Sequence, residues 1–185
     1  MTRAGSSFLV PYLRSSAEAV GAVLVAGEGG PTNVTLTVRR PNGQVAREVS
    51  FVSAGDGSTP QVALADLYAI ADCGVIQVEA EGAVVIHVET EAGGERHRDA
   101  FSPADSDPGT AFELGETDPA HPFAMLANTG RDELFVFVND MQGPFIPPFG
   151  SARIQVPKPG GRLHITVDNG EGILTYKGRL IPPTA

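Results

Sequence analysis

The sequence predicts an all-β protein, an antiparallel β-sandwich or two tandem sandwich-like modules, and three observations carry that prediction. Apolar and polar residues alternate with period two along most of the chain. Glycine (22) and proline (15) recur through the 185 residues without a Gly-X-Y period, which is punctuation for many short elements and argues against a helical bundle. Two stretches of the chain also echo one another. Strands with one wet face need a second sheet to cover the dry one, and closing two sheets face to face does this.

The elements follow in order. Val34-Thr35-Leu36-Thr37-Val38 alternates cleanly, with the aliphatic residues on one face and the threonines on the other. Both residue types are stiff at χ1 and suit a pleated, half-buried surface. Pro41-Asn42-Gly43 is a reversal, because Asn-Gly accepts the positive φ angles of a tight hairpin. The returning strand runs from about Gln44 to Val52, and Ala54 to Pro60 is a loop by composition. Gln61 to Cys73 begins as alternation (Val62, Leu64) and then takes helical spacing (Leu67, Ile70, Ala71), so a strand should run into a short helix. Val75 to Ala80 and Ala83 to Thr90 flank Glu81-Gly82 and predict a second hairpin. Ala92-Gly93-Gly94 predicts a further turn into a strand from Glu95 to Phe101.

From Ser102 to Pro122 aspartate, proline and glycine cluster with little periodicity, which suggests a connection. Strands then resume at Phe123 to Ala127, Leu134 to Val138, Ser151 to Val156, Arg162 to Asp168 and Ile173 to Leu180, with Asp168-Asn169-Gly170 turning between the last two. Leu134 to Val138 is apolar on both faces and should be central or covered. Shifting the first stretch by 100 lays Val34, Leu36 and Val38 on Leu134, Val136 and Val138; later a shift of about 87 lays Ile76 and Val78 on Leu163 and Ile165. The expected organisation is a module over 1–101, a connection over 102–121 and a shorter module over 122–185, the alternative being one continuous β domain.

Composition limits the function classes. A net charge of −9 repels phosphate backbones and anionic membranes, so no nucleic-acid or membrane partner is expected. One cysteine, Cys73, cannot form an intrachain disulfide. The N-terminal apolar stretch Phe8 to Leu13 is short and broken by Pro11, unlike a signal peptide. The expected compartment is the cytoplasm, or a virion assembled there.

Chemistry finds little support. Gly-x-Ser-x-Gly is absent, and Cys73 sits beside Asp72, which would raise its pKa. His87, His97, His121 and His164 lack metal-ligand spacing, and His87 and His164 fall on outward strand faces at similar places in the two stretches. Asp105-Ser106-Asp107 and Asp168-Asn169-Gly170-Glu171 are the only calcium-like runs, and turn geometry explains the second. Gly27-Glu28-Gly29-Gly30-Pro31 leads into a strand and carries a glutamate, so it is a turn and not a phosphate cradle. No tryptophan is present to serve as a sugar platform. No catalytic residue, metal or cofactor is expected.

Gln61 to Leu67 followed by Val75-Ile76-Gln77, the glycine turn and Val84-Val85-Ile86-His87 resembles the later half of the sensory rhodopsin transducer-like β-sandwich family. There an aspartate–leucine pair ends one strand and a pair of strands follows. The resemblance extends over about residues 20 to 90, and more loosely 122 to 180. It implies a cytoplasmic, non-enzymatic, oligomeric sandwich that passes signals by binding.

The contact candidates are apolar residues in proline-broken segments. Met141 to Gly150 should be extended and outside the central sheet, because proline cannot donate to a ladder. Phe145, Ile146 and Phe149 then need cover, either from their own core or from another subunit. Phe8 and Tyr12 raise the same question on an N-terminal edge strand. Arg96-His97-Arg98 is a solvated strand or a docking point for an acidic partner. The expected function is a non-catalytic structural or interaction protein acting through homo-oligomerisation and protein partners. A virion accessory protein is the alternative, and a carbohydrate-active or metal-dependent enzyme the second.

Overall fold

The computed structural model describes residues 6–14, 20–53, 59–92, 94–103, 108–115, 123–156, 162–176 and 179–181. The first half of the described chain forms β1 (Ser6–Leu13), β2 (Val20–Gly27), β3 (Thr32–Arg39), β4 (Val45–Ser53), β5 (Pro60–Ala63), α1 (Leu64–Ile70), β6 (Cys73–Ala80), β7 (Val84–Ala92) and β8 (Glu95–Phe101). The second forms β9 (Ala111–Leu114), β10 (Phe123–Asn128), β11 (Leu134–Val138), β12 (Met141–Ile146), β13 (Ser151–Gln155), β14 (Leu163–Asp168), β15 (Gly172–Tyr176) and β16 (Arg179–Ile181). The fold is all-β and antiparallel. Leu64 and Leu67 bury the inner side of α1, the one helix among the described residues, where the sequence changes from two-residue to helical spacing.

The described residues form four sheets of four strands: sheet I (β1-β6-β3-β4), sheet II (β5-β2-β7-β8), sheet III (β13-β10-β15-β16) and sheet IV (β12-β11-β14-β9). Adding eight to each strand number of sheet II yields the order of sheet III, and the same operation on sheet I yields sheet IV read from its other edge. The two halves therefore share one strand topology. Each also has its own buried cluster. Val10, Leu36 and Ile76 of sheet I meet Val23, Val62 and Ile86 of sheet II in the first; Leu134, Ile146 and Ile165 of sheet IV meet Ala124, Leu126 and Leu174 of sheet III in the second. A cluster drawn from two sheets is what face-to-face packing produces.

Several expectations need correction. β6 and β7 do not form a hairpin: β6 pairs with β1 and β3, while β7 pairs with β2 and β8. The chain crosses from one sheet to the other at Glu81-Gly82, so Ile76 and Val78 look across the core at Val84 and Ile86. The Asp168-Asn169-Gly170 turn makes the same crossing between β14 and β15. The segment 102–121 is not only a connection. Its residues Ala111–Leu114 are β9, which pairs with β14 and places Phe112 in the second core. Met141–Ile146 is not outside the sheet but forms its edge strand. Gly143 and Pro144 bulge opposite Val136, where the register shifts and the missing proline N–H costs no ladder bond. Residues 54–58, Asp105–Asp107 and His121 lie outside the described residues.

Register also adjusts the internal correspondence. Leu36 pairs with Val78 and Val136 with Val167, so with β3 on β11 the second offset is 89 and not 87 (Ile76 falls on Ile165). A two-residue slip keeps every side chain on its own face, which is why alternation cannot detect it.

The halves meet on the outer faces of sheets I and III. Pro11, Cys73 and Val75 from sheet I and Met125, Ala127, Ile173 and Thr175 from sheet III are buried although they point away from the two cores. The β3–β4 turn locks this seam. Asn42 keeps an ordinary φ and only Gly43 (φ 81) is left-handed, the geometry of a hairpin with a one-residue bulge. Ser151 N–H donates to Pro41 O at 2.9 Å. A Cβ on residue 43 would stand 2.0 Å from Pro148 O. Gly43→Ala is expected to cost about 2–3 kcal/mol, from the positive φ and the clash together. Urea unfolding checks it, and an unchanged midpoint would mean the seam is looser than described.

Candidate functional site

The five contact candidates separate sharply. Phe8 and Tyr12 belong to the first core, and Ile146 to the second, so none of the three is available to another chain. That corrects the expectation for them: β1 is an edge strand, but Phe8 and Tyr12 sit on its inner face. Tyr12 lies directly opposite Gly74, where any Cβ would meet its ring, and burial pushes its phenol up to about 12. Phe149 is half-buried at the seam. The Arg39 guanidinium stands 4.9 Å from its ring centre, so its partner is the other half of the same chain. Only Phe145, 50% exposed, faces outward.

Phe145 does not stand alone. Its register partner Phe135 is 39% exposed, and the two rings meet edge to face with centroids 5.3 Å apart. Phe135 is in turn directly opposite exposed Asp168 on β14. Residues directly opposite share a sheet face, so Phe145, Phe135 and Asp168 form one row across the outer face of sheet IV. Phe137 follows two residues along the same face. Sequence reasoning found Phe145 but missed Phe135. The signal was present: Leu134 to Val138 is apolar on both faces, and the strand is internal to its sheet, yet its second face is open at Phe135.

Local chemistry explains how the row is held. Asn139 (φ 49) and Asp140 (φ 62) turn the β11–β12 hairpin with two left-handed residues, which asparagine and aspartate tolerate. Buried Asn128 anchors the far end. Its Nδ2 donates toward Asp132 O (2.7 Å), Pro147 O (3.0 Å) and Ile146 O (3.1 Å), while its Oδ1 accepts from Gly130 N–H (2.8 Å). One amide therefore ties β10 to both ends of the segment that carries the aromatic pair.

Asp168 is the titratable group of this row itself, and Cys73, His87 and His164 lie outside it. Burial pushes the Cys73 thiol up; Arg153 opposes that rise and Asp72 adds to it. His87 and His164 do not occupy equivalent positions: His87 is on β7 of sheet II, whereas His164 is on β14 of sheet IV and matches Val75 of β6. His164 Nδ1 contacts Glu113 Oε1 at 2.5 Å across the β14–β9 pair. His87 has its Nδ1 buried without a hydrogen-bond partner among the described residues, and its pKa is lowered by burial and by Arg98, against an upward pull from Glu89. Among the described residues no three His, Cys, Asp or Glu side chains gather as a metal site. Among them also, no helix is long and apolar enough to cross a membrane. A shallow depression of about 250 Å³ lies at the end of the first half, where Asn33 Nδ2 donates to Glu81 Oε2 at 2.7 Å beside Gly30 and Gly82. That is below the size of ordinary small-molecule pockets, roughly 300–1,000 Å³.

Compared with known proteins, the chain matches no family model, no curated sequence and no solved structure.

Two outcomes follow for this region. Asn128→Ala is expected to cost about 2–3 kcal/mol, because it removes from a buried site the bonds to Ile146 O, Asp132 O and Gly130 N–H. The check is urea unfolding with hydrogen exchange at Phe149 and Gly150, which should quicken together. His87 sets a pH dependence. Its folded pKa lies below the unfolded 6.5, so the unfolded chain takes up the proton more readily. Its contribution to stability is then complete above pH 6.5 and lost as pH falls below that value. His87→Thr should flatten the unfolding midpoint between pH 7.5 and 5.5; an identical slope in both proteins would refute this.

Proposed function

We propose that this chain is a non-catalytic interaction protein, a rigid β scaffold of two equivalent halves that presents the outer face of sheet IV to another protein. One observation carries the reading. In the first half the row equivalent to Phe145–Phe135–Asp168 is Ser50–Thr35–Glu79, and there Thr35 Oγ1 and Ser50 Oγ hydrogen-bond at 3.0 Å. The shared topology is satisfied by two hydroxyls at these positions, so it does not require two phenyl rings. Exposed aromatic pairs on a scaffold that does not need them are typical of contact surfaces, where they supply area at little entropic cost.

Other features support the same reading. The bulge and Pro144 on β12 blunt that edge against strand addition, which directs a partner to the face. The net charge of −9 keeps a chain with an open aromatic patch soluble. The likeness to the sensory rhodopsin transducer-like proteins also implies binding without catalysis. Duplication of one eight-stranded unit would account for the common topology, with the second copy released to vary its surface. Self-association through the aromatic face is a second reading that rests on the same pair.

The experiment transplants the first half's row: Phe135→Thr with Phe145→Ser. The double variant is expected to keep its folding stability within about 1 kcal/mol, since neither ring belongs to a core. Association seen by light scattering or with a partner should be lost. A stability loss above about 2 kcal/mol with association unchanged would make the rings structural and end this reading.

A further inference from the structure

The row on sheet IV carries more than apolar area. Asp168 is exposed, directly opposite Phe135, and in no ion pair among the described residues. Its equivalent Glu79 in the first half accepts a hydrogen bond from Gln77 Nε2 at 2.9 Å. Four residues further along β14 on the same face, His164 engages the carboxylate opposite it, Glu113. A carboxylate beside two phenyl rings is a composite site, with charge at one end and π faces at the other.

The same chain shows what such rings accept. Arg14 lies 5.2 Å from the Tyr68 ring centre, Arg39 lies 4.9 Å from Phe149, and Arg153 lies 5.3 Å from Phe123. Phe135 and Phe145 have no such cation among the described residues.

We infer that the Phe145–Phe135–Asp168 row is a receptor for an arginine side chain of a protein partner, the guanidinium pairing with the Asp168 carboxylate and stacking on the phenyl rings. The inference rests on the proposed interaction face and names its occupant. Arginine is favoured over lysine because its planar fork can satisfy a carboxylate with two hydrogen bonds while its flat face lies on an aromatic ring. Charge selects a cationic partner, because the chain carries −9 overall. A symmetric contact between two copies would place like charges and two Asp168 carboxylates near one interface, which disfavours a second copy.

The test uses the full chain with ¹³C-labelled phenylalanine and a blocked pentapeptide, glycine-arginine-leucine-arginine-glycine, titrated by NMR at 150 mM salt. Two matched peptides replace both arginines by lysine or by citrulline, which keeps the planar shape and loses the charge. The arginine peptide should shift the Phe135 and Phe145 ring signals and bind about tenfold more tightly than either control. Asp168→Asn should weaken it about five- to tenfold, and the Phe135→Thr, Phe145→Ser variant should lose binding of the arginine peptide measured by calorimetry. Equal binding of the lysine or citrulline peptide, indifference to Asp168→Asn, or shifts confined to other phenylalanines would overturn the inference. Ring shifts that grow with protein concentration in the absence of peptide, together with self-association by light scattering that the double variant loses, would assign the face to a second copy. That outcome refutes the arginine receptor while leaving the interaction face intact. Failure of the double variant to fold would refute both.

Discussion

The seam between the outer faces of sheets I and III is the constraint on which the rest of the molecule depends. A sheet has two faces, and each half buries only one of them in its own core. The second face of sheet I carries Pro11, Cys73 and Val75, and that of sheet III carries Met125, Ala127 and Ile173. Exposed, these would be an apolar surface on each half; mated, they make the chain continuous through both halves. Arg39 holds the border of the seam at three points. It donates to Gly43 O at 3.0 Å, to Gln77 Oε1 at 3.1 Å, and covers the Phe149 ring. Phe149 is left-handed (φ 54), a conformation that costs energy for a bulky side chain and persists because the contacts around it leave no other.

The seam also explains why two halves of one topology have different surfaces. At the positions equivalent to Val75 and Pro11, sheet IV carries His164 and Glu113. Burying that hydrogen-bonded pair in a second seam would require stripping its water, and the desolvation cost of charged groups opposes it. Sheet IV therefore cannot repeat the contact made by sheet I, and its outer face remains turned to solvent at Phe135 and Phe145. Cys73 illustrates the opposite fate. It occupies the buried side of β6, where burial raises the thiol pKa and leaves it a packing residue.

Much of the local structure was legible beforehand, and the errors have physical causes. Val34, Leu36 and Val38 were readable as an inner face because alternation is a property of the strand itself. The reversal at Gly43 was readable because the backbone there needs a positive φ. The turns after β6 and β14 looked like hairpins because a short polar break between two strands is common to hairpins and to crossings between sheets. Which one forms depends on whether the neighbouring strand bonds beside its predecessor or faces it across the core, and both place Ile76 and Val84 inward. Pro144 suggested a segment outside the sheet, yet an edge strand with a bulge accommodates it.

The chain's own residue order determined its all-β class, its antiparallel strands and a helical interruption near Leu67, because each of these is written in spacings of a few residues. Tertiary structure alone decided which apolar side chains meet solvent. Phe8, Tyr12, Ile146 and Phe145 are alike in kind, and the first three vanish into cores while the fourth stays open beside Phe135 and Asp168. That division depends on strand partners distant in sequence, β11 with β14 and sheet I with sheet III, and no local pattern encodes a distant partner.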